Sequence, residues 1–396
     1  MLDTIKVKLK LTKLQKEFCL LNGGACRFLY NEGLRQNIDS YNSFGKLKID
    51  NINDILYNLL KSPEFSWLKQ CESTSLTHSL SNLEISFKNF FNSRNKSRKG
   101  RIVSFPKFKS KHKSRYNFTI INENNLCKLR GSNLFLPRLG LIKVWNFQRQ
   151  LKDRLNDEKI KRVTISRDSD QGWYASILID RQNLLKPIYQ STNLTVGIDV
   201  GIRTPVTCYD NVGDCNSVHS PDMIKLNNKI KKLHKVLSRK QRGSKNESEA
   251  RTKLAKAYFH AKNIRKDFNH KLSNFLVKTY DVITVENLNI QQMMNQHRLA
   301  EKIQNQAWYQ FVTFLEYKCK RNKKTLIKVD TYFPSSKLCS NCKSKNEIGS
   351  LELYSCPICG YIHNRDENAA KNLNKISQYF FDTGTIITTE KEFLLM

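Results

Sequence analysis

Ile5, Val7, Leu9 and Leu11 alternate with Lys6, Lys8 and Lys10, the period-two pattern of a strand with one charged face. Leu14, Phe18 and Leu21 then change to helical spacing. Leu76, Leu80, Leu83, Phe87 and Phe90 recur every three or four residues and predict a helix over 73–91. Its opposite face is short and polar, with Thr74, Thr77, His78 and Ser81, and serves either as a solvated surface or as a surface that reads bases. Strand-like pieces follow at 134–136, 141–145, 162–167 and 173–180. The last two flank Asp168-Ser169-Asp170-Gln171-Gly172, a good hairpin connection. These pieces predict a small β-barrel whose first strand is 5–11, with the helical region inserted.

Residues 187–193 read as a linker, and an apolar strand at 194–199 opens a new domain, with 205–209 as its antiparallel neighbour. Residues 222–278 carry two helices broken at Gly243-Ser244. Ile230, Leu233 and Leu237 mark the first; Leu254, Tyr258, Ala261, Phe268, Leu272 and Phe275 mark the second. A buried strand at 282–285, a helix near 307–322 and a strand at 326–329 follow. Residues 375–396 have weak periodicity and read as a loosely ordered tail.

Charge changes the picture most. Lys and Arg number 68 against 35 Asp and Glu, a net charge of +33. Self-repulsion of that size calls for a polyanionic partner, nucleic acid or an anionic membrane surface. Residues 94–115 hold ten Lys or Arg and no acid, interleaved with Phe105, Pro106 and Phe108. Lys107, Lys109, Lys111 and Lys113 alternate as along one face of a strand and point to phosphate contact, a solvated loop being the plainer alternative. Residues 225–271 add sixteen basic groups against three acids, which gives the helical hairpin a basic face. No run of about 18 apolar residues spans a bilayer, and the amino terminus has no signal core. The expected location is the cytoplasm, where the seven scattered cysteines stay reduced.

The strongest local signal is Cys339-x-x-Cys342 and, thirteen residues on, Cys356-x-x-Cys359. Two such knuckles place four thiolates around one zinc and leave no open position, so the zinc is expected to be structural. Lys343 stands where Gly often eases the turn; Gly360 has the expected residue.

Asp199 ends one apolar strand, Glu286 ends another, and Asp366 opens a helix in His363-Asn364-Arg365-Asp366-Glu367-Asn368-Ala369-Ala370. Singly, such acids cap helices and end strands everywhere. Together they fit phosphodiester hydrolysis by two magnesium ions, which needs convergent carboxylates. The segments around Asp199, Glu286 and Asp366 resemble the three RuvC motifs of TnpB, with the zinc ribbon between the second and third. Arg27-Phe28-Leu29-Tyr30-Asn31, Phe87-Lys88-Asn89-Phe90-Phe91, Phe105-Pro106-Lys107-Phe108-Lys109-Ser110-Lys111 and Leu136-Pro137-Arg138-Leu139-Gly140 are similar to its amino-terminal signatures. Arg239-Lys240-Gln241-Arg242-Gly243-Ser244 and Phe268-Asn269-His270-Lys271-Leu272-Ser273 resemble its helical hairpin. The likeness covers roughly residues 5–374. Asn364 stands where many relatives have Asp.

The resemblance implies a multidomain α+β chain: a wedge-like β-barrel (1–11 and 105–186) with an inserted helical recognition lobe (12–104), then an RNase H-like RuvC α/β nuclease (192–332 and 362–374) with an inserted zinc ribbon (333–361). It also implies a guide RNA, a target DNA cut beside a short duplex motif, and nucleic-acid contacts at Arg239, Lys240 and Arg242. Miniature type V CRISPR effectors are close kin. Two other readings stand beside it. One is a catalytically silent RNA-guided repressor, which would be expected to lose a carboxylate. The other is an unguided structure-selective nuclease, which has no use for the first 190 residues. Oligomeric state stays open.

Overall fold

The computed structural model describes residues 2–45, 47, 54–95, 97–98, 100–111, 116–145, 159–180, 189–202, 204–289, 293, 295, 307–347 and 352–396. The chain divides into two compact units, Met1–Asn183 and Leu184–Met396.

The first unit begins with β1 (Leu2–Lys10), in which Ile5, Val7 and Leu9 are buried and the intervening lysines exposed. α1 (Lys13–Phe44) starts where Thr12 and Gln15 form a capping box and ends at Gly45 in the left-handed conformation. α2 (Asp54–Lys61) and a 3-10 helix (Pro63–Gln70) lead to α3 (Ser73–Arg94), the helix expected from its apolar stripe. Buried Glu72 caps α3 by accepting from the backbone of Thr74 and Ser75. Six strands follow: β2 (Asn117–Ile121), β3 (Lys128–Arg130), β4 (Asn133–Leu136), β5 (Gly140–Val144), β6 (Lys159–Arg167) and β7 (Trp173–Asp180). They form one sheet with β1, in the order β2-β6-β7-β1-β5-β4-β3, every ladder antiparallel. The expected hairpin at Asp168–Gly172 joins β6 to β7, and the helices fall between β1 and β2 as expected.

The barrel expectation needs correction: the hydrogen-bonded ladder is open, and no ladder joins β2 to β3 among the described residues. β3 is only three residues long, and α3 packs against β2 instead. The backbone N–H of Ile121 in that edge strand donates to the Thr74 hydroxyl at 3.0 Å. A covered edge has no need of a closing partner.

The second unit holds β8 (Thr195–Asp199), β9 (Val206–Asp210), β10 (Cys215–Val218), α4 (Ile224–Ser238), α5 (Lys245–Thr279), β11 (Val282–Val285), α6 (Trp308–Asn322), β12 (Thr325–Lys328), β13 (Leu353–Ser355), β14 (Ile362–Asn364), α7 (Arg365–Thr383) and α8 (Glu390–Leu395). Its main sheet runs β10-β9-β8-β11-β12; β10, β9 and β8 are antiparallel, whereas β8, β11 and β12 are parallel. All of β8 and β11 is buried, which explains their unbroken apolar runs. α4 and α5 form the expected helical hairpin, with Ser244 capping α5.

The tail expectation is also overturned. α7 continues past residue 374 to Thr383 and ends at Gly384 in the left-handed conformation. α8 has a capping box of its own, Thr389 with Glu392. Ile387 and Phe393 are buried with Val329, Phe333 and Leu338, and Phe393 meets Phe333 edge to face at 5.5 Å. Two buried anchors separated by a loop have no helical period, so the pattern was silent there.

Candidate active site

The parallel ladder between β8 and β11 pairs Ile198 with Val285. Asp199 ends β8 and Glu286 directly follows β11, so they stand side by side at the carboxyl end of the sheet. α7 packs across β8 and β11, and it can do so closely because residue 197 is Gly. A Cβ there would fall well under 3.0 Å from backbone atoms of Ala370 and Asn374. Buried polar groups fix the register: Thr195 Oγ1 donates to Asn374 Oδ1 at 2.9 Å, and Ser377 Oγ donates to the Val196 carbonyl at 3.0 Å. The Thr284 and Ser377 hydroxyls share a further bond of 2.7 Å.

Asp366 lies in the first turn of α7, after Asn364, whose side chain accepts from the Asp366 and Glu367 backbone N–H groups. Its carboxylate reaches the turn after β8: a Cβ on Gly201 would lie 3.8 Å from Asp366 Oδ2. The three carboxylates therefore converge. Burial, and then repulsion from Glu286 and Asp366, hold the Asp199 carboxyl well above the usual range; Arg365 opposes this. Burial also raises Glu286, with Asp366 adding to the effect and a hydrogen bond from Ser335 opposing it. Clustered, partly desolvated like charges are unfavourable alone and become favourable around hard divalent cations. The oxygen-only donor set fits magnesium.

The four cysteines of the two Cys-x-x-Cys pairs gather into one cluster. Sγ atoms of Cys339, Cys342, Cys356 and Cys359 lie within 4.8 Å of one another. Cys339 and Cys359 sulfurs are 3.6 Å apart, as are those of Cys342 and Cys356. Tetrahedral ligation at about 2.3 Å per sulfur sets sulfurs about 3.8 Å apart, so the four fit one zinc. The separation is far too long for disulfides. Burial would raise the Cys356 thiol, but bonds from Ser344 and from the backbone of Cys359 and Ile358 bring it down to about 5. Lys343 takes the left-handed conformation (φ 60°), as Gly360 does (φ 70°). In a non-glycine residue this costs about 1–2 kcal/mol.

Sequence reasoning missed the residues that join these sites. The buried Ser335 hydroxyl donates to Glu286 Oε1. Asn372 Nδ2 donates to the carbonyls of Ser335 and Leu338, and Asn368 bonds Leu338 O and the Ser340 N–H. A spacing of four between Asn368 and Asn372 on a helix was the available signal. Arg365, beside Asp366 at 3.5 Å, was also passed over.

The expected nucleic-acid residues fall outside these clusters. Residues 101–110 form no strand. Lys107 and Lys111 are exposed, but Lys109 turns inward: its Nζ lies 3.5 Å from the centre of the Tyr30 ring, and its backbone is bonded both ways to the Asn31 amide. Lys113 lies outside the described residues. Arg239, Lys240 and Arg242 are exposed in the turn of the α4–α5 hairpin. Thr77 is exposed, with its hydroxyl bonded back to Ser73 O; His78 lines a polar cavity with Arg27, Asn82 and Lys109. The Thr74 hydroxyl is engaged by Glu72 and Ile121 and is not free to contact a base.

A Streptomyces pristinaespiralis protein named "Putative RNA-guided DNA endonuclease" is 30% identical over 355 residues, 88% of this chain and 83% of its own length. An Escherichia coli relative of the same description, InsQ, is 27% identical over 88% of this chain and 86% of its own length. TnpB-like protein L79 of Acanthamoeba polyphaga mimivirus is 29% identical over 54% of this chain and 43% of its own length. The chain belongs to the TnpB family of RNA-guided DNA endonucleases. Residues 181–297 match a family described as Probable transposase, and residues 308–373 a Cas12f1-like TNB domain. Residues 1–46 match a Helix-turn-helix domain, although here Leu2–Lys10 is a strand and Lys13–Phe44 one 32-residue helix. A Cas12f1–sgRNA–target DNA complex solved by cryo-EM shares the fold, with a TM-score of 0.55, 17% identity, and coverage of 92% of this chain and 83% of that one. No helix among the described residues is long and apolar enough to cross a membrane.

Proposed function

We propose that this TnpB-family chain is a magnesium-dependent endonuclease of an insertion sequence. It would bind a guide RNA, pair the guide with target DNA, and cut beside a short duplex motif. The observation that carries the reading is the convergence of Asp199, Glu286 and Asp366, two of them with carboxyls raised by burial and mutual repulsion. These three would hold two magnesium ions, which supply Lewis-acid activation of water and stabilisation of the leaving oxygen. Around them Gly197 lets α7 seat closely on β8, which fixes where Asp366 stands. The four cysteines would hold one structural zinc. The charge of +33 suits an RNA and a DNA bound together. The first unit would supply the wedge-like sheet and recognition lobe, and the second the RuvC-like nuclease and zinc ribbon.

A silent, repressor-like descendant would be expected to lack at least one carboxylate, and this chain keeps all three. An unguided nuclease leaves the first unit without a role. Single substitutions Asp199→Ala, Glu286→Ala and Asp366→Ala test the reading in purified complex with its co-purified RNA. Each should reduce magnesium-dependent cleavage to background while target binding persists, because pairing and basic surfaces provide the binding. Robust cutting by any one of them overturns the assignment, and the absence of a discrete co-purified RNA overturns guidance.

A further inference from the structure

Ser335 stands at the crossing of three segments far apart in sequence. Its hydroxyl donates to Glu286 Oε1, on the residue following β11. Its carbonyl accepts from Asn372 Nδ2 at 2.9 Å, on the helix that carries Asp366. Its own backbone belongs to the loop that leads into the first zinc knuckle, where Asn368 holds the Leu338 carbonyl at 2.7 Å and the Ser340 N–H at 2.9 Å. Ser335 is 3% exposed and Asn368 and Asn372 are fully buried, so water does not compete for the bonds that tie this loop to α7. Cys339 lies between the two residues that Asn368 holds.

The remaining freedom of Glu286 is what this arrangement controls. A glutamate at a strand end has three rotatable side-chain bonds, and the carboxylates facing it favour rotation away. A hydroxyl donor fixed on one oxygen holds the rotamer and leaves the other oxygen free to ligate. We propose that Ser335 is a positioning residue for Glu286, and that through it the zinc-ribbon loop sets the geometry of the divalent-cation site. The inference rests on the carboxylate site proposed above. It predicts that the cation site weakens when the hydroxyl is lost although no ligand is touched; loss of such outer partners typically weakens metal binding about 10–100-fold.

The test is a Mn2+ titration followed by electron paramagnetic resonance on the full zinc-loaded chain freed of nucleic acid. In parallel, the Mg2+ midpoint of DNA cleavage is measured on the guide-loaded complex. Ser335→Ala should weaken Mn2+ binding about ten-fold, move the Mg2+ midpoint in the same sense, and leave the zinc content at the parent value. Ser335→Thr and Ser335→Val have the same shape and differ only in the hydroxyl, which covers the case in which the smaller alanine disturbs packing. Thr should keep near-parent affinity, and Val should lose as much as Ala. Parent-like Mn2+ affinity in the valine variant, or equal loss in Thr and Val, overturns the inference. Glu286→Gln separates the two levels. If it leaves Mn2+ binding intact, the carboxylate site itself is wrong; if it alone abolishes binding while Val does nothing, only the role of Ser335 is.

Discussion

Gly197 on β8 and Ala370 on α7 meet backbone to backbone, with no room between them for a single methyl group. The added Cβ of Gly197→Ala would press on the Ala370 carbonyl and the Asn374 backbone nitrogen, neither of which can rotate aside. Overpacking of a tight core generally costs about 1–3 kcal/mol, and a clash with backbone belongs at the upper end. The helix must then lift from the strand and carry Asp366 away from Asp199. Gly197→Ala should lower the melting temperature of the second unit and reduce cleavage, with zinc content retained. Parent-like melting and activity would mean that α7 does not seat on β8 as described.

Asp366 lies on that helix and the loop before the first cysteine pair is bonded to it, so the proposed zinc and magnesium sites should be linked. One equivalent of zinc per chain is expected, and Cys342→Ser should lower zinc content and nuclease activity together. Cys342 is not a sequence neighbour of Asp199, Glu286 or Asp366, but the loop before its knuckle is fastened to α7 through Asn368 and Asn372. Metal analysis alongside cleavage rates checks this. Full activity in zinc-free protein would separate the ribbon from the chemistry.

The four-cysteine cluster was legible because its signal is local: four residues in two fixed spacings bring the sulfurs together. The strand ends and helix start that carry Asp199, Glu286 and Asp366 were legible one step less directly, from apolar runs. Ser335, Asn368 and Asn372 were not, since serine and asparagine are common and their meaning lies in contacts between segments distant in sequence. The open sheet was misread as a barrel because strand patterns say nothing about who covers an edge, and here Thr74 of α3 does so. The ordered carboxyl-terminal segment was missed because Ile387 and Phe393 bury as isolated anchors around a turn.

Lys109 shows the same limit and sharpens a binding prediction. Alternation along 107–111 suggested equivalent lysines, but burial lowers the Lys109 ammonium and seats it over Tyr30. Lys107 and Lys111 remain the exposed pair. Neutralising those two should weaken nucleic-acid binding and flatten its salt dependence, by up to about 0.9 in log–log slope for each duplex phosphate left without its lysine. Lys109→Ala should instead act mainly on the stability of the first unit. Binding isotherms over a salt series, with thermal melts, distinguish the two; an unchanged slope in the double variant would make the run a solvated loop.

The polar face of α3 offers the most specific expectation. Thr77 is exposed, and His78 lines the cavity that also holds Arg27, Asn82 and Lys109. Burial, reinforced by Arg162, lowers the His78 imidazole below its usual value, so near pH 7 the ring is neutral. Its Nδ1 is already shared with Asn82 Nδ2 at 3.0 Å. With Nδ1 accepting from the Asn82 amide, a neutral ring so held presents its Nε2–H as one fixed donor to a base edge, where a good contact discriminates by about 1–3 kcal/mol. Replacing His78 by Ala should therefore shift which flanking motif permits cutting by roughly ten-fold at one position, and Thr77→Ala should have a smaller effect because its hydroxyl also bonds Ser73 O. Guide-pairing rules should stay as they were. Because the ring is already neutral, motif preference should not change between pH about 7 and about 8. A randomised-flank cleavage library at both pH values measures all of this. Identical preference at identical efficiency in the His78 variant would return this face to ordinary solvent exposure.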